Sequence, residues 1–137
     1  MKKSLVIVFV LIIILITAGA AWFYVNKQND SSSPVTLLNP KPNEIVKSPL
    51  LVGGLARGYW FFEASFPVRL FDANGKEIAV SPAQAVDDWM TEEMVPFQTK
   101  LEFSTPETDT GILVLEKDNP SGLPEHDQKI TVPVRFR

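Results

Sequence analysis

The sequence predicts an all-β fold: a seven-stranded immunoglobulin-like sandwich preceded by one N-terminal transmembrane helix. Three observations carry that prediction. Residues 5–25 form an uncharged apolar run behind Lys2 and Lys3. After residue 35, short alternating segments recur with turn residues about every 8–12 positions, as sandwiches require. No segment after residue 25 carries an apolar stripe of helical period and useful length; Glu92–Val95 has room for one turn at most.

Residues 5–25 are dominated by Leu, Ile, Val and Phe. At about 1.5 Å per residue, a helix of that length spans a hydrocarbon core about 30 Å thick. Trp22 and Tyr24 fall at the far end, where amphipathic rings favour the interface, and the two lysines keep the N-terminus inside. Residues 1–25 are therefore expected to be a membrane anchor. A cleaved signal peptide is the alternative, with Leu5–Thr17 as its apolar region and Ala18-Gly19-Ala20 as its cleavage site. Either way the rest of the chain is exported.

Residues 26–34, Asn-Lys-Gln-Asn-Asp-Ser-Ser-Ser-Pro, read as a flexible linker. Fully stretched, it reaches at most about 30 Å, so a domain at 35–137 stays close to the membrane.

The expected strands lie near 35–38, 50–57, 66–72, 76–81, 95–103, 111–117 and 129–136. Ile130, Val132, Val134 and Phe136 alternate with Lys129, Thr131, Pro133 and Arg135, a period of two that puts one face on a core. Val95, Phe97, Thr99, Leu101 and Phe103 alternate likewise, as do Phe66, Val68 and Leu70. Ile112–Leu115 is continuously apolar and reads as a central strand covered on both sides. Turns are expected at Asp72–Gly75, with Asn74-Gly75 suited to positive φ, at Thr105–Glu107 and at Asn119–Gly122. A small barrel is the structural alternative.

Charge and composition narrow the function. Of the charged residues only Lys2 and Lys3 precede residue 25, so 11 basic and 16 acidic residues follow, a net −5. An acidic domain without a Lys/Arg run is a poor ligand for nucleic acid or anionic lipid. The chain has no cysteine, which removes disulfides, thiol nucleophiles and thiolate metal sites. Gly-x-Ser-x-Gly, His-Glu-x-x-His and a phosphate-binding loop are absent as well. A carboxylate pair for glycan hydrolysis needs a deep cleft, which about 100 residues of sandwich rarely offer. Neither a small-molecule cofactor nor a metal is expected. The carboxylates of Asp87, Asp88, Glu92, Glu93, Glu116 and Asp118 lack the Asp-x-Asp-x-Asp-Gly spacing of a calcium loop, and His126 reads as a surface histidine.

Three segments are compositionally unusual: Ser48-Pro49 through Gly58-Tyr59-Trp60-Phe61-Phe62-Glu63-Ala64-Ser65-Phe66-Pro67-Val68; Asp88-Trp89-Met90; and Glu116-Lys117-Asp118-Asn119-Pro120-Ser121-Gly122-Leu123-Pro124-Glu125. Together they resemble the immunoglobulin-like domain of bacterial spore germination proteins, over roughly residues 42–136. The resemblance implies an exported bacterial domain with a seven-stranded sandwich and no known enzymatic activity. Combined with the anchor, it implies a single-pass protein of the bacterial cytoplasmic membrane, its domain on the extracytoplasmic face.

In an immunoglobulin-like topology the loops after the second, fourth and sixth strands gather at one end. Here these are 58–65, 82–94 and 117–128, so the three unusual segments are expected together. Trp60, Phe61, Phe62, Trp89 and Met90 supply apolar area, and Glu63, Asp87, Asp88, Lys117, Asp118 and Asn119 supply polar groups. As a binding surface, this end presents rigid aromatics to an envelope protein or polymer. As structure, Trp60, Phe62 and Trp89 cap the core while Asp118 and Asn119 tie down turns. The expected function is a non-catalytic, membrane-anchored binding module of the cell envelope. The alternatives are an accessory or spacer subunit of an envelope complex and a small cell-wall glycan hydrolase.

Overall fold

The computed structural model describes residues 33–137; the expected anchor, residues 1–25, and linker residues 26–32 lie outside the described residues. Among the described residues no helix is long and apolar enough to cross a membrane.

Seven strands form: β1 (Val35–Asn39), β2 (Leu50–Arg57), β3 (Ser65–Asp72), β4 (Glu77–Ala85), β5 (Met94–Leu101), β6 (Thr110–Glu116) and β7 (Lys129–Arg135). All pair antiparallel, in the order β1-β2-β5-β4-β3-β6-β7. The ladder is continuous through β4, which pairs β3 along most of its length and touches β5 only at Gln84 and Ala85. The sheet curls over on itself at this narrow join. Phe66 of β3 and Phe97 of β5, separated in the ladder by β4, bring their rings to 4.9 Å across the curl. One apolar cluster draws on all seven strands. Between β1 and β2, the segment 43–46 crosses to the far edge: Asn43 donates to Pro133 and Val46 to Arg135, which covers part of β7.

The period-two pattern explains this core. In β3, Phe66, Val68 and Leu70 are buried and their neighbours partly exposed; β7 buries Val132 and Val134 in the same manner. The first turn also has a clear cause. Asp72 Oδ1 accepts the backbone N–H groups of Asn74 and Lys76 at 2.9 and 3.0 Å, and Gly75 takes φ +79°. Only Gly75 of the Asn74-Gly75 pair is left-handed.

Three expectations about the strands need correction. β4 continues to Ala85 instead of stopping near 81. Ser81-Pro82-Ala83 reads as a turn, yet pairing with β3 and the burial of Ala83 hold it extended. β5 stops at Leu101, because Phe103 leaves the ladder to donate its N–H to Ser48 Oγ. In β6 Ile112 is 45% exposed, so the run is covered on both sides only at its Val114 end.

Candidate functional site

The loops after β2, β4 and β6 meet at one end of the fold, and backbone contacts hold them there. In the first loop Gly58–Trp60 makes a single 3-10 turn. Gly58 N donates to Glu93 O of the second loop at 3.1 Å. A Cβ on Gly58 would overlap the carbonyl oxygens of Trp89 and Thr91, so only glycine lets the two loops approach this closely. The third loop is attached through Asp118 N, which donates to Trp60 O at 3.0 Å.

Burial divides the expected contact residues into two groups. Trp60 and Phe61 are 0% and 4% exposed, and both rings pack edge-on against Phe66. Trp60 takes the capping role, one of the two expected of it; Phe61, expected only at a contact surface, joins it as a plug, whereas Phe62, also expected as a cap, stays 42% exposed. For Trp60 the reason lies in β2, whose even-numbered residues Leu50, Val52, Gly54 and Ala56 face inward. That phase runs on through Gly58 to Trp60. Trp89 is partly buried against the same cluster. The indole Nε1 of Trp60 is buried with no hydrogen-bond partner.

Phe62 and Met90 remain on the surface, joined by two residues the sequence reading passed over, Tyr59 and Val86. Tyr59 sits at an odd, outward position of the β2 phase, which is the signal that would have found it. The exposed turn carrying Phe62 is strained. Phe62 and Ser65 exchange backbone hydrogen bonds at 2.9 and 3.1 Å around Glu63 and Ala64, which take φ +49° and +64°. Two positive φ values at the centre of a two-residue hairpin make a type I′ turn, which normally selects Asn or Gly. Ala85 N donates to Ala64 O at 2.8 Å and fixes this turn to the end of β4.

The second loop is shaped by its own side chains. Asp88 Oδ1 accepts Met90 N at 3.0 Å, and Thr91 Oγ1 accepts Glu93 N at 3.2 Å. Met90 is left 76% exposed at the crest. In the third loop Lys117 Nζ donates to His126 O, and Asn119 Nδ2 donates to Leu123 O and Asp127 Oδ1. Lys117, Asp118 and Asn119 are half-buried, so two of them are spent on ordering the loop and Asp118 on joining it to Trp60. Glu63 and Asp88 are exposed beside Phe62 and Met90. Among the described residues no group of three or more His, Asp or Glu side chains is arranged to hold a metal ion.

Elsewhere an open groove of about 800 Å³ runs over the outer face beside Leu51, Gly53, Pro82, Gln84 and Gln98. It lies where β4 and β5 diverge and involves none of the three loops.

No curated protein and no solved structure matches the chain. A family model for the immunoglobulin-like domain of bacterial spore germination matches residues 34–122, well over half of the sequence and including the Trp60, Trp89 and Asn119 loops. By that match and by its seven antiparallel strands, the chain belongs to the immunoglobulin-like domain family of bacterial spore germination.

Proposed function

We propose that this protein is a non-catalytic binding module, anchored in the bacterial cytoplasmic membrane and presenting its three-loop end to another envelope component on the extracytoplasmic side. The observation that carries the reading is the pairing of a buried plug with an exposed crest. Trp60 and Phe61 are locked in the core, while Tyr59 and Phe62 beside them and Val86 and Met90 on the second loop stay 51%, 42%, 56% and 76% exposed. Apolar side chains held in water on rigid loops gain free energy when a partner covers them. The strained Glu63-Ala64 turn supports the same reading, because left-handed non-glycine residues cost free energy and concentrate at functional sites. The absence of nucleophile, metal and phosphate motifs from the sequence favours binding over catalysis.

The anchor rests on the apolar run at 5–25. The chain enters the domain at the loop end: Pro34 O accepts Arg57 N at 2.8 Å, one residue before Gly58. The test is photo-crosslinking in native membranes from position 90 and, as control, from Val80, which is also exposed but on β4. A discrete adduct from position 90 and none from Val80 is expected. Equal labelling from both positions would remove the loop-end reading.

A further inference from the structure

We infer that the three-loop end is matched to a basic protein surface with an apolar centre, and not to the lipid itself. This rests on the anchored binding-module reading above and names its partner class. Five exposed carboxylates lie on the same loops as Tyr59, Phe62, Val86 and Met90. Glu63 follows Phe62, Asp87 and Asp88 lie between Val86 and Met90, and Glu92 and Glu93 lead into β5. Among the described residues none of the five joins a salt bridge. The cations on this end include Arg57 and Lys117, both half-buried, which donate to the backbone oxygens of Glu92 and His126 and not to these carboxylates.

That distribution decides between occupants. A lipid surface would cover the apolar crest but would strip water from five carboxylates without supplying counter-charge, and an anionic leaflet would repel them. A second copy of the same end would set like charges against each other. A basic protein surface covers the crest and neutralises the rim together, which is the usual arrangement of an apolar interface centre inside a polar border.

The chain has no cysteine, so Met90→Cys and, separately, Val80→Cys each give a single labelling site in the full-length protein. Each labelled chain, reconstituted in phosphatidylcholine nanodiscs, is titrated with a Leu/Lys peptide of about 18 residues and with its Leu/Glu counterpart. Saturable immobilisation of the position-90 label by the Leu/Lys peptide alone, absent at position 80, is expected. Binding should weaken about tenfold between roughly 0.05 and 0.5 M salt, and about as much in an Asp88→Asn, Glu92→Gln, Glu93→Gln variant. Equal affinity for the two peptides, or an unchanged affinity in the charge variant, would overturn the inference. So would burial of the position-90 label in the bilayer of phosphatidylglycerol-containing nanodiscs without peptide. Anchoring is read separately, by co-flotation of the chain with vesicles, so failure of the partner class and failure of the tether give different results.

Discussion

The carbonyl of Trp60 accepts the backbone N–H of Asp118 at 3.0 Å, joining the first and third loops directly over the core. The residue whose ring seals the sandwich thus also supplies the backbone acceptor that seats the neighbouring loop. Stability and loop placement are coupled through this one position.

Trp60→Ala should destabilise the domain by about 3–5 kcal/mol, the range for deleting a large buried aromatic. Trp60→Phe should cost much less, because it keeps most of the ring and removes an indole N–H that is buried without a partner. Urea denaturation of both variants checks the order. Equal losses would show that the ring contributes little as a plug.

Gly58→Ala is expected to cost about 2–3 kcal/mol, although alanine is usually a mild replacement. The added carbon has no space against the backbone of Trp89 and Thr91, so the second loop must shift. Chemical-shift changes should therefore reach Met90 as well as the site of substitution. A variant of native stability with an unmoved Met90 would contradict the close approach of the two loops.

Ala64→Gly should stabilise the protein by about 0.5–1 kcal/mol, since glycine takes φ +64° without a Cβ penalty. The expected gain is visible as a higher melting temperature. If this strain serves presentation of Phe62, crosslinking from position 90 should weaken as the turn relaxes.

Tyr59→Ser and Met90→Ser should each change stability by less than about 0.5 kcal/mol, because both side chains stand mainly in water. Photo-crosslinking from the adjacent loop should fall in the same variants. Loss of fold in either would mean that these side chains belong to the core.

Arg69 on β3 bridges Glu77 on β4 and Glu116 on β6 at 2.8 and 3.1 Å. Its pKa is raised first by the hydrogen bond to Glu77, then by that to Glu116. All three side chains are about a third exposed, so solvent screens them, and Arg69→Ala should cost about 1 kcal/mol or less. That cost should shrink further in high salt. A larger, salt-independent loss would point to packing of the arginine stem instead.

Much of the strand plan was legible because a period of two survives any choice of partner. Phe66, Val68 and Leu70 could face only one way together, and so could Val132 and Val134. The Gly75 and Gly122 turns were legible for a local reason, the ease of positive φ at glycine. β4 beyond Ser81 was not, because Pro82 and the small residues around it carry a turn-like composition that only the β3 ladder overrides. At the site, the gathering of three loops followed from topology, but the sorting of their aromatics did not. Composition marks Trp60, Phe61 and Phe62 alike, whereas the continued phase of β2 buries Trp60, packing against Phe66 holds Phe61 inside, and the turn at Glu63-Ala64 leaves Phe62 exposed.

Sequence was enough to show where most extended segments lie, which face of most is apolar, and that the chain beyond residue 25 is acidic and free of cysteine. Those properties are local or additive, so no knowledge of neighbours is needed to read them. Only folding settles that Trp60 is a plug and Met90 a crest, that Gly58 must lack a side chain, and that the loops carrying five exposed carboxylates meet. Burial and adjacency depend on what lies across a loop or a ladder, and residues such as Gly58 and Trp89, 31 positions apart, meet only once the chain has closed around its core.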